Sequence, residues 1–446
     1  MTGTGGGRMP RTILLLGTAL ALLAACAERE TILTGERLSL RDSVATAEAL
    51  DAPAPDRAVP ISLPAQVAVR DWTHVAAGPD HDRPHASLSP APRLAFAVPI
   101  GQGDGRRHRI TTDPVIADGR IFTADSRARV MAHTLNGQPL WSAEMAPTGE
   151  PSDDSSGAGL AVSGNRLFVS TAFGQIVALD AATGRRLWAQ DLGAAAAGAP
   201  TATADTVFVI GRDATAWALD PANGRVKWTA QGTPSTETVG GGASPAVSGD
   251  MVVLPFASRE LRGLLRAGGS ELWSTTVAGT RLGRVYAAIG DITGDPVIVG
   301  DTLYAGSPSG RTDAFSLRSG RQLWSAREGA MGPPAVAGGS VFTVSDQNEL
   351  VRIDATTGER IWAEPLPYFV RNNLRRRRDI YVHHGPLLAG GRLWVASSDG
   401  LLRGFSPVSG ALEATVELPG GATTNPVVAQ GTLFVVNRDG QLLAFR

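Results

Sequence analysis

The chain has 446 residues, 43% hydrophobic and 19% charged, enough apolar material for a large core. A formal net charge of -1 excludes the basic footprint expected of a nucleic-acid binder. Length alone suggests two or three domains, but repeat architectures break that expectation by closing many small units into one body.

The N-terminus reads as a targeting segment. Arg8 and Arg11 lead into the apolar run "ILLLGTALALLAA", too short and wrongly flanked for a membrane span, so residues 1–25 are expected to be a signal peptide. The stretch "LAAC", Leu23 to Cys26, resembles the lipobox of bacterial lipoproteins. That resemblance implies lipidation of Cys26, the only cysteine, and Ala27 in place of Asp implies delivery to the outer membrane. Met9 offers a second translation start with the signal intact. Residues 26–65, rich in Ala, Pro, Asp and Arg and without a sustained period, read as a flexible tether.

From residue 66 to 446 the chain repeats itself. "DATTGERIW" ends at Trp362, and variants of it end at Trp188, Trp228 and Trp324, with looser copies at Trp141 and Trp273. A Pro followed eight positions later by a large apolar residue recurs as Pro114 and Phe122, Pro200 and Phe208, Pro296 and Tyr304, Pro426 and Phe434, among others. The spacing of 38 to 52 residues is that of four-stranded propeller blades, and the intervening strings alternate as half-buried strands do. Gly184, Gly224, Gly320 and Gly358 hold one place in the turn, where a positive φ is expected. Each closing Trp is assigned to packing between blades, where such a ring buries on the order of 200 Å².

The last unit stops at Arg446, before its turn and Trp strand. "PRLAFAV", Pro92 to Val98, places Phe96 where a Trp would stand and is expected to supply the missing strand. The predicted fold is all-β: an eight-bladed β-propeller of four-stranded antiparallel blades, closed by an N-terminal strand.

Chemistry is sparse. Quinoprotein dehydrogenases share the repeat, but as a family they carry a pair of adjacent cysteines that this chain lacks. "GQGDG", Gly101 to Gly105, precedes no helix and reads as a plain loop. His383 and His384 are adjacent and would point to opposite faces of a strand. No catalytic residue, metal site or cofactor is predicted. "RNNLRRRRDIYVHH", Arg371 to His384, is the one concentrated charge feature, read as a solvated loop or as a contact with an acidic partner or anionic head groups.

Lipobox, tether and eight units together resemble the BamB family of outer-membrane β-barrel assembly lipoproteins, over about residue 66 to the end. The resemblance implies a non-catalytic scaffold in the BAM complex, facing the periplasm from the outer membrane and binding the POTRA domains of BamA through loops of neighbouring blades. In one family contact motif Asp291 matches the first carboxylate, and Thr293 stands where the second would be. In the other, Gly240 replaces an arginine, Val239 keeps one apolar place, and Glu237 replaces a leucine. Asp291 also fits a turn carboxylate bonding nearby amides. The different-class alternative is a propeller lipoprotein acting as an envelope sensor or ligand-binding module.

Overall fold

Alternating runs such as "GRLWVASSDGLLRGF" become strands, and glycine-bearing turns fold them into antiparallel sheets. In the computed structural model the described residues are 2–3, 55–147, 149–151, 157–235, 242–277, 279, 281, 291–371, 373 and 378–446. Among them the regular structure is entirely strand, in eight four-stranded sheets arranged as the blades of a ring. Blades 1 to 7 each use four consecutive strands, their inner strands beginning at Val115, Ala158, Thr201, Ala246, Gly294, Ala335 and His383. Blade 8 takes three strands from the C-terminus, Val427–Ala429, Thr432–Val436 and Gln441–Phe445, and its outer strand from Leu94–Pro99. Phe96 lies opposite Ala444, and reciprocal bonds between Arg93 and Arg446 extend the pairing, so the closing strand is where the sequence placed it.

The repeated turn is explained by what lies across the blade boundary. Gly184, Gly224, Gly320 and Gly358 have φ of 73°, 76°, 65° and 76°. A Cβ on any of them would also fall within 2.7 Å of the indole of the preceding blade's Trp: Trp141 for Gly184, Trp188 for Gly224, Trp273 for Gly320 and Trp324 for Gly358. Each indole N–H then donates to a carbonyl of the same turn, as Trp324 does to Ala355 at 2.8 Å and Trp273 to Leu317 at 2.7 Å. Gly269 sits likewise on Trp228, Gly410 on Trp362, and Gly137 on Phe96. One seam lacks the contact, that between blades 7 and 8. Blade 8 gets its third and fourth strands from opposite ends of the chain, so it has no such turn, and the outer strand of blade 7, Leu412–Glu417, has no Trp.

The segment before the closing strand is not a linker. Residues 69–90, which we call the strap, run around the ring and meet the inner part of every blade in order. Val69 O accepts from Gln430 N of blade 8 at 2.8 Å, and Trp72 exchanges two backbone bonds with Ile116 of blade 1. Thr73 O accepts from Val162 N of blade 2, and His74 Nε2 lies 3.0 Å from both N and O of Ala202 in blade 3. Pro79 O and Asp80 O accept from Val247 of blade 4 and Ile298 of blade 5. Arg83 donates to Pro333 O before blade 6, and Ala86 bonds Leu388 and Gly390 of blade 7. Trp72, Ala76, His81 and Ala86 are fully buried by this circuit.

Contact with the ring starts earlier than residue 66. Arg57 N donates to Ile361 O, and Asp56 and Arg57 pair with Arg360 and Glu359 at the outer edge of blade 6. The buried Arg352 guanidinium donates to Val59 O and Pro60 O, while Val59, Ile61 and Leu63 pack on the core beneath. The last ten residues assigned to the tether thus belong to the compact unit, which spans Ala54–Arg446.

The Trp-on-glycine contact predicts a coupled pair. Gly358→Ala should lower stability by about 2 kcal/mol or more, through the positive φ and the clash with Trp324. Trp324→Ala alone should cost about 3–5 kcal/mol. In that truncated background Gly358→Ala should cost only about 1 kcal/mol, because only the φ penalty remains. Urea unfolding of the four proteins checks this; strictly additive losses would mean that the indole and the turn do not constrain each other.

Candidate functional site

Residues at the start of the inner strands face the ring's axis, and several are polar: Asp113, Ser244, Asp295 and Asn425, each directly preceding a Pro. With Thr293 and His384 they line a central cavity of about 560 Å³, and Val75 of the strap stands at its floor. The strap occupies the end of the axis beside the turns of the inner strands, so the cavity opens on the opposite face.

This collar is bonded from blade to blade. Asn425 N and Nδ2 donate to the two oxygens of Asp113, both at 2.8 Å, while Asn425 Oδ1 accepts from Gly385 N at 2.9 Å. Ser244 N donates to Asp295 Oδ1 at 2.6 Å, and Thr293 Oγ1 donates to Ala330 O at 2.7 Å. Ser170 Oγ reaches Gly198 O at 2.8 Å. These side chains satisfy backbone groups that the short inner strands leave unpaired near the axis.

Burial dominates the electrostatics. It pushes the Asp113 carboxyl up to about 7 against the pull of its Asn425 bonds, with the Asp295 charge adding to the rise. It lowers Arg83 to about 10, although Asp113 and Asp295 oppose that shift, and His384 to about 4. His383 points away from the axis into bonds with Ser397 Oγ and Pro367 O, so the adjacent histidines do face opposite ways. Among the described residues no group of three His, Cys, Asp or Glu side chains is placed to hold a metal ion.

The family-implied contact residues are distributed unevenly. Thr293 lines the cavity and is bonded to Ala330. Asp291, expected at a solvent-facing rim, is only 5% exposed, beside the fully buried Ile292. Charge reversal at Asp291 would therefore bury a cation at a cost to the fold. Cys26, Glu237, Val239 and Gly240 lie outside the described residues, as do Arg375 to Arg377. Trp141, Trp188, Trp228, Trp273, Trp324 and Trp362 all stand on outer strands as structural residues. Sequence reading missed the collar, although a polar residue directly before the Pro of a unit was its signal. It missed the strap as well.

Asp113 yields a pH prediction. Its ordinary value is 3.8, so between about 4 and 7 the folded chain keeps a proton that the unfolded chain releases. Stability must fall as pH rises through that window, since the unfolded state then binds fewer protons. Asp113→Asn should remove this component, so that the variant's unfolding free energy changes less between pH 4 and 7 than the parent's. Parallel pH profiles in denaturant unfolding would show that Asp113 ionises normally in the fold.

Comparison with known proteins agrees with this architecture. A family model described as outer membrane protein assembly factor BamB matches residues 126–364 and 371–446. Curated proteins of that name include those of Shewanella oneidensis, 24% identical with 79% of this chain and 88% of the relative covered, and Xanthomonas campestris, 29% identical with 79% and 85% covered. Among solved structures, BamB from Moraxella catarrhalis superposes with a TM-score of 0.66 at 20% identity, covering 80% of this chain and all of that one. A europium-containing methanol dehydrogenase shares the fold at a TM-score of 0.63 and 15% identity, covering 82% of this chain and 89% of its own. Because the family model spans most of the ring, the chain belongs to the BamB family of outer-membrane protein assembly factors.

Proposed function

We propose that this chain is a non-catalytic scaffold lipoprotein of the outer-membrane β-barrel assembly machinery, held at the outer membrane by acylated Cys26 and facing the periplasm. In this reading it binds the POTRA domains of BamA through the loops before the inner strands of blades 4 and 5. The observation that carries the reading is the family match across residues 126–446, joined to relatives whose names describe outer-membrane assembly factors. The same ring also serves dehydrogenases, so fold alone does not decide the matter. This chain's single cysteine cannot supply the cysteine pair by which those enzymes are recognised. A ligand-binding module is the second reading, supported by the axial cavity of about 560 Å³.

With Asp291 buried, the capture test moves to the other loop. Val239→Asp should weaken capture of the purified periplasmic domains of BamA by roughly 30-fold, about 2 kcal/mol, as loss of a central apolar contact commonly does. Its melting curve should match the parent's. Unchanged capture would remove the blade-4 loop from the interface, and capture by neither protein would leave the cavity as the functional site.

Anchoring makes a separate prediction. Cys26→Ser should yield a folded protein that leaves the outer-membrane fraction, because acyl chains contribute about 0.8 kcal/mol per buried methylene and a nearly neutral body gains little at a bilayer. Cell fractionation followed by immunoblotting reads the outcome; normal levels of the variant in the outer membrane would mean that protein contacts hold it there.

A further inference from the structure

Between the outer strand of blade 6, Arg360–Pro365, and the inner strand of blade 7 the chain forms a projecting hairpin. Val370 N donates to Asp379 O at 3.0 Å and Tyr381 N to Tyr368 O at 2.9 Å, with Phe369 paired to Ile380. Its base is fixed. Asn348 Nδ2 donates to Tyr381 O at 3.0 Å, and Val382 exchanges bonds with Ser398, so turns of blades 6 and 7 grip it from both sides.

The hairpin brings exposed aliphatic and cationic side chains together on one short element. Val370, Ile380 and Val382 are 42%, 49% and 48% exposed on a short two-stranded ladder, and Arg371 and Arg378 beside them are also exposed. Over residues 371–379 the sequence places five arginines against one aspartate, in a chain whose formal net charge is -1. Exposed aliphatic groups flanked by guanidinium groups fit a surface that is anionic and has an apolar layer beneath its charges.

The path of the chain shows where such a surface lies. Residues 56 and 57 are fastened to Glu359, Arg360 and Ile361, at one end of the outer strand of blade 6. The hairpin leaves from the other end of that strand, about 17 Å away at the rise of a β-strand. The chain that leads to Cys26 and the basic hairpin thus both depart from blade 6.

We propose that the paired strands of this hairpin, residues 366–371 and 378–382, are a membrane-contact element that binds the anionic phospholipid surface from which the chain is tethered, turning the blade 6 edge of the ring toward the bilayer. The inference rests on the reading of Cys26 as the lipid anchor. The tether supplies proximity and the hairpin supplies orientation. A basic segment adds to acyl anchoring in this way because the two attractions act on one body.

The test uses the full acylated chain in vesicles of phosphatidylcholine with or without phosphatidylglycerol, read by amide hydrogen exchange. Exchange at Val370 and at Ile380 to Val382 should slow several-fold only where phosphatidylglycerol is present, and about 0.5 M salt should reverse the effect. Arg371→Glu with Arg378→Glu should abolish the slowing, whereas Arg371→Lys with Arg378→Lys should keep it; both pairs are exposed, and melting curves verify their folding. Equal exchange in the two vesicle types would overturn the proposal. So would slowing that needs an acidic polypeptide such as polyglutamate and not the lipid. Recovery with pure phosphatidylcholine vesicles reports the anchor separately. A chain not recovered there but sedimenting with phosphatidylglycerol would overturn the anchor and support the hairpin, and one that sediments with neither would overturn the hairpin as well.

Discussion

The ring depends on one contact used seven times: a large ring on an outer strand pressed against a glycine in the next blade's turn. The contact couples two requirements at a single residue. The turn needs a positive φ, and the face of the indole needs the space of a missing Cβ, so glycine answers both. Hydrogen bonds from the indole N–H of Trp141, Trp188, Trp228, Trp273 and Trp324 to the same turn then help fix the angle between neighbouring blades. Phe96 makes the contact without a donor, which suits the place where the ring is closed by a strand from the other end of the chain.

Because the contact is written in the residues on both sides, much of the fold was legible. The recurring Pro-to-apolar pairs gave the blade count, the tryptophans and their glycines gave the packing between blades, and the early stop at Arg446 with Phe96 near the start gave the closure. The strap was not legible, for a physical reason. It has no alternating period because it pairs with no strand for more than a residue or two, and its partners lie up to 361 positions away, as Gln430 does from Val69. Its histidines and Arg83 look like surface residues in sequence, yet each is buried with one nitrogen bonded to a backbone carbonyl. The site was harder still. Asp291 reads as a turn carboxylate or as a contact, and only the packing around Ile292 reveals how little of it reaches solvent.

The axis holds the molecule's costly electrostatics. Asp295 and Arg83 both act on the Asp113 carboxyl, Asp113 and Asp295 both act on Arg83, and the amide groups of Asn425 and Ser244 hold the two carboxyls. In a through-channel, water would solvate such groups; with the strap across one end they depend on protein dipoles instead. The collar therefore rigidifies the centre of the ring.

The circuit of residues 69–90 also sets an order of events during biogenesis. These residues are made and exported before any blade, yet their last partner before the closing strand is blade 7 and their first is blade 8. The earliest part of the polypeptide must then wait, unpartnered, for the latest part to emerge. Contacts of such long sequence separation slow folding, because the entropy of closing the loop is lost before the contacts repay it. The ring therefore cannot lock until the strands of its eighth blade have been made.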